Sequence, residues 1–130
     1  MPIIEWAFVC DSAFVDASGK ASIIGAFENL TAHALPFSHP QMSIAVGLKL
    51  ALEEEVEVNT VIITAHGKEI ARTNPKRLTR ADTEGASTLI VIFTYYGTTF
   101  SEIGQHHIEI LLDGNTARFI PLIIGLLPKE

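Results

Sequence analysis

The chain is short of several things at once, and each shortage removes a class of function. Cys10 is its only cysteine, so no intrachain disulfide can form and nothing points to an oxidising compartment. Basic residues are few: 9 Lys and Arg stand against 15 Asp and Glu, for a formal net charge of -6. Binding nucleic acid through phosphate neutralisation needs a basic patch. The one basic cluster, Lys76 and Arg77 with Arg72 and Arg80, is small and set among polar residues, the pattern of a solvated loop. No apolar run is long enough to span a bilayer. The N-terminal MPIIEWAFVCDSAF has no basic n-region, and Glu5 and Asp11 bracket a run too short for a signal peptide. The later FIPLIIGLL is interrupted by Pro121 and Gly125. These shortages predict a cytoplasmic protein with no nucleic-acid and no membrane partner. Helical periodicity is missing too, since no stretch carries apolar residues at 3.6 spacing for three turns.

What is present is β patterning. With 130 residues the chain can bury a core without disulfides or metal, and one domain over 1–130 is expected. The stretch QHHIEILLDGNTARFIPL, residues 105–122, organises the rest: two apolar runs flank Asp113-Gly114, a strong short-range hairpin signal. A two-residue turn there places Ile110 opposite Ala117, Ile108 opposite Phe119 and Glu109 opposite Arg118. That register predicts a charge pair outside and a core row inside.

Earlier in the chain, residues 6–10 and 20–28 read as strands around the turn formers Asp16-Ala17-Ser18-Gly19. Residues 29–41, with Pro36 and Pro40, read as an irregular connection crossing between sheets. Residues 42–50 alternate cleanly, with Met42, Ile44, Val46, Leu48 and Leu50 on one face. Strands follow at 57–64 and 69–72, and the polar segment 73–86 reads as a surface loop. Residues 87–96 are apolar on both faces, which predicts a central strand covered on both sides. The count, seven to eight short strands and no helix, predicts an all-β antiparallel two-sheet sandwich.

A Greek-key, immunoglobulin-like arrangement is suggested by Glu102-Ile103-Gly104-Gln105-His106-His107-Ile108. This segment resembles the tyrosine corner that opens the penultimate strand of such domains, with His106 in the tyrosine position. More broadly, the order CD-x-A…GK-x-SIIG-x-F-x-x-L…LPFSHPQM…GKEIA…F-x-E-x-G-x-H…DG…IPL resembles a bacterial family of short cytoplasmic proteins of unknown function. Residues 19–27 and 38–42 carry most of the likeness. The resemblance implies an all-β domain and implies no catalytic residues.

Signals for chemistry are weak. Cys10-Asp11-Ser12-Ala13 lacks the glycines of a nucleophile elbow, and a buried structural thiol is the plainer expectation for Cys10. Glu53-Glu54-Glu55 lacks the spacing of a calcium loop. His106 and His107 are adjacent on a strand and point to opposite faces, while His33, His39 and His66 match no zinc spacing. No catalytic residue, metal ligand or cofactor is therefore assigned. The expected function is a non-catalytic interaction module that self-associates or meets a protein partner. The alternative is a small-ligand binder or enzyme with a pocket near loops 29–41 and 73–86, using His33, His39 and Asp11 as polar groups. Self-association is expected on the outer face of the last hairpin. With Phe119, Pro121 and Ile123 continuing the inward row, Ile120, Leu122 and Ile124 fall outside with Leu111 and call for a cover.

Overall fold

The computed structural model describes residues 2–80 and 88–128. Ten strands lie among them: β1 (Ile3–Val15), β2 (Ala21–Ala26), β3 (Asn29–Ala32), β4 (Phe37–Lys49), β5 (Glu55–Ile63), β6 (Glu69–Arg72), β7 (Lys76–Thr79), β8 (Leu89–Phe100), β9 (Gly104–Leu112) and β10 (Asn115–Leu126). One sheet has the order β2-β1-β4-β8; the other has β3-β10-β9-β5-β6, with β7 also paired to β5. The all-β, two-sheet architecture is as the alternating pattern predicts. Its inner faces share one core, in which Met42, Ile44, Val46 and Leu48 of β4 join Val58, Ile62, Ile108, Ile110 and Leu122 from the opposite sheet.

The architecture departs from expectation in three respects. The second sheet is mixed, because β3 runs parallel to β10. Both stretches expected to be loops contain strands: residues 29–41 cross to the second sheet as β3 and return as the start of β4, and residues 73–86 contribute β7. Residues 81–86 lie outside those described. Finally, β8 is an edge strand rather than a central one. Its inward residues Leu89, Val91, Phe93 and Tyr95 are buried, and Ile90 and Ile92 lie half-buried on the outer face.

The last hairpin holds the most informative correction. The turn forms at Asp113-Gly114 as predicted, with φ of 51° and 82°, the positive pair that a tight hairpin turn needs. Beyond it, a β-bulge between Thr116 and Arg118 leaves Ala117 without a partner, so Arg118 meets Ile110, Phe119 meets Glu109 and Ile120 meets Ile108. One inserted residue reverses every later side chain. Ile120, Leu122 and Ile124, expected outside, are in the core, and only Leu111 of the expected patch remains on the outer side, half-buried.

Proline supplies the physical reason. Counting from the turn, the unbulged register puts Pro121 at a hydrogen-bonded pair, where its missing N–H costs a ladder bond. The bulge moves it to a non-hydrogen-bonded pair. Ile123, two residues on and so of the same orientation, donates its N–H to Glu28 O at 2.7 Å, on the side away from β9. The Glu109–Arg118 pair consequently does not form. Arg118 turns inward and its Nη2 donates to Ile4 O at 3.0 Å, beside a second irregularity between Ile4 and Trp6 of β1.

On the outer face of the first sheet the indole of Trp6, paired with Gly47, lies so close that a Cβ at Gly47 would overlap it. Replacing Gly47 with alanine should displace the ring at a cost of about 1–3 kcal/mol, the usual range for overpacking. Trp6 is the only tryptophan, so its fluorescence reports the event directly. The variant is expected to show a red-shifted emission maximum and a lower urea midpoint. An unchanged spectrum would mean that the ring does not rest on Gly47.

Candidate functional site

The three polar residues expected to line a ligand pocket are not brought together. Asp11 is exposed on β1, against Gly25 of β2, whose φ of 67° and close approach to the Asp11 carboxylate leave no room for a Cβ. His33 is exposed in the connection between β3 and β4. His39 lies on β4 with its ring against Phe27 at 5.9 Å and Phe37 at 6.0 Å, and its buried Nε2 has no hydrogen-bond partner. A cleft of 610 Å³ opens elsewhere, between β1 and the β2–β3 connection. Phe8, Val9, Phe27 and Ile120 form its apolar wall, and Glu28 supplies the only ionisable side chain among the described residues that line it.

The remaining histidines have separate environments. His106 is fully buried against Phe100, with ring centroids 5.6 Å apart, and its Nδ1 lies 3.1 Å from Gly104 O. A carbonyl accepts only, so Nδ1 donates to it, and the buried Nε2 has no hydrogen-bond partner among the described residues. His107 is on the opposite face, 3.3 Å from a Glu109 oxygen and edge-on to Phe119 at 5.1 Å. His66 Nδ1 lies 2.9 Å from Glu102, which holds that carboxyl below its ordinary range. Among the described residues, no three His, Cys, Asp or Glu side chains are grouped to hold a metal ion.

Two further polar features could be mistaken for catalytic ones. The Cys10 thiol donates to Ser43 O at 3.5 Å, and burial together with neighbouring Asp11 pushes its pKa up, which disfavours the reactive thiolate. Tyr95 OH meets Thr60 Oγ1 at 2.6 Å, and Thr60 Oγ1 meets Thr73 Oγ1 at 2.9 Å. This hydroxyl chain ties β8 to β5 across the core. Burial raises the Tyr95 phenol to about 12, so at neutral pH it is a fixed hydrogen-bonding group rather than a base.

What the surface offers is area. Reversal of the β10 register does not give the hairpin a polar exterior, because β10 is apolar on both sides. Phe119 is 60% exposed and Ile123 42%, with Pro121 exposed between them; across the ladder they meet Glu109, His107 and Gln105, and Leu111 lies further along β9, opposite Thr116. The acid in that row, Glu109, is occupied by Thr116 Oγ1 at 2.5 Å as well as by His107. A matching family model spans residues 5–125, nearly the whole of this surface and core. The chain belongs to DUF6941, a family of unknown function.

No curated protein matches the DUF6941 chain. Among solved structures it is similar to the Pseudomonas fluorescens alkylpurine DNA glycosylase AlkC bound to DNA containing an abasic site analog. The TM-score is 0.48 and the sequence identity 10%, over 75% of this chain and 27% of that one. The DUF6941 chain thus spans about a quarter of the glycosylase's length, and the likeness carries no argument about function. Sequence reasoning missed the outer row of β10 and the open edge of β8. The signal for the first was Pro121, whose position argues for a bulge; the two-sided apolar pattern of β8 argues for a central strand, and nothing local marks its edge position.

Proposed function

We propose that this domain is a non-catalytic interaction module of the cytoplasm that self-associates through the outer face of the β9–β10 hairpin. The observation that carries the reading is the outer row Phe119, Pro121 and Ile123, with Leu111 one step further along the same face of β9. An outward sheet face is ordinarily polar, and contiguous exposed apolar residues of this kind mark contact surfaces. The row is suited to a second copy because it carries little free charge. Glu109 is engaged within its own sheet by Thr116 and His107, so a two-fold copy would meet an acid already partnered in each chain. An immunoglobulin-like kinship belongs to the same proposal. It is supported by His106, buried at the opening of β9 with its ring bonded back to the Gly104 carbonyl, a link of the corner type.

Sedimentation velocity on the full chain tests the function. The wild type should sediment as a dimer or larger closed oligomer at about 100 μM, an affinity range that a small apolar interface reaches. The double variant Phe119→Lys/Ile123→Glu should sediment as a monomer with an unchanged far-ultraviolet circular dichroism spectrum. A monomeric wild type at that concentration, or a double variant that stays associated, would remove this face as the contact.

A further inference from the structure

We propose that the open edge of β8 accepts an extended acidic peptide segment of a partner protein as a fifth strand of the first sheet. The surface involved is separate from the β9–β10 face. β8 is a 12-residue strand, LIVIFTYYGTTF, with no charged residue, and among the described residues it ends its sheet. Edge strands are ordinarily kept short or interrupted by charge, because a free row of N–H and C=O groups invites pairing. This one is neither short nor charged, and its sequence is that of a strand with a neighbour on each side.

The side on which the free groups lie can be read from a single bond. Lys76 Nζ, from β7 in the other sheet, donates to Ile92 O at 2.6 Å while sitting 5.0 Å from the centroid of the Phe93 ring. The Ile92 carbonyl therefore points away from β4. By strand parity the N–H and C=O of Ile90 and Thr94 point the same way. Among the described residues, no backbone group outside the β4–β8 ladder pairs with them.

Alongside runs a cleft of 480 Å³, bordered by Arg72, Thr73, Asn74 and Lys76 on one side and by Thr94 and Tyr96 on the other. Tyr96, 75% exposed, offers an aromatic surface at its end. The charge of the cleft selects the occupant. In a chain of net charge -6, two cations and no carboxylate line it among the described residues. Arg72 is bound by Glu69, whereas among the described residues no carboxylate forms an ion pair with Lys76. A second copy of β8 would bring a second Lys76 to the same seam. An extended segment carrying Asp or Glu would instead give Lys76 a counter-ion in exchange for the Ile92 carbonyl, freeing that carbonyl for the added strand. Main-chain pairing then supplies affinity, and the carboxylates supply specificity.

The test uses the full chain and three capped synthetic octapeptides of alternating valine and threonine. One carries two central glutamates and the second two central lysines; the third is the glutamate peptide N-methylated on alternate residues to block strand pairing. Binding is followed by amide chemical shifts and hydrogen exchange. The glutamate peptide is expected to bind about five- to tenfold more tightly than the lysine peptide. It should slow exchange at Ile90 and Thr94, and Lys76→Glu should reverse the preference. No binding of the glutamate peptide at about 1 mM, equal binding of the lysine or N-methylated peptide, or protection elsewhere than β8 overturns the proposal. Protection of Thr94 that rises with protein concentration in the absence of peptide would assign the edge to a second copy and overturn it too.

Discussion

Leu122→Lys should leave the chain unfolded in buffer, whereas Phe119→Lys, three residues away on the same strand, should leave it folded. Leu122 is 0% exposed, pairs with His106 and points into the shared core, where the buried residues among those described include no carboxylate to pair with a lysine ammonium. The change loses roughly 2–3 kcal/mol of apolar burial. It adds several kcal/mol for an unpaired buried charge. The sum is comparable with the whole stability of a domain, about 5–15 kcal/mol. Phe119 is mostly exposed, and the same substitution there should cost no more than about 0.5 kcal/mol of intrinsic stability. Far-ultraviolet circular dichroism and urea titration followed by Trp6 fluorescence distinguish the two. The unbulged register predicts the reverse assignment, so a folded Leu122→Lys beside an unfolded Phe119→Lys would restore it and dismiss the bulge at Ala117.

Alkaline titration should expose the buried phenol of Tyr95. Its pKa is about 12 in the folded chain, raised by burial from an unfolded value near 10. Below pH 10 the phenol is protonated in both states and the contribution to stability is fully present. Between pH 10 and 12 the unfolded chain releases the proton while the folded chain keeps it. Stability therefore falls with rising pH and is lost through the folded pKa, by about 2–3 kcal/mol in all. Tyr95→Phe should cost about 1 kcal/mol at neutral pH, because Thr60 keeps its bond to Thr73 when the phenol is gone. The variant should then lose less stability than the wild type between pH 10 and 12. The measurement is the difference in urea midpoint between wild type and variant across that range. A constant difference would mean that the phenol is not shielded as the Thr60–Tyr95 bond implies.

A good part of this fold is written in local pattern. The alternation of Met42, Ile44, Val46, Leu48 and Leu50 placed those five side chains inside, and Asp113-Gly114 placed the hairpin turn, because side-chain period and turn conformation are properties of a few consecutive residues. Pairing decided the rest. The bulge at Ala117 depends on which side of β10 has a partner for Pro121 and on whether Arg118 can reach Ile4 O, 114 residues away in the chain. The position of β8 at the edge, and the cleft formed there by Lys76 and Arg72 from the other sheet, follow from strand order. The sequence alone thus determined most of the strands, the alternation of β4 and where one tight turn falls. Only the tertiary structure decided which face of β10 is buried and which edges stay open. The physical reason is that one unpaired residue inverts a whole strand, and its cost is set by hydrogen bonds to segments far away in the chain.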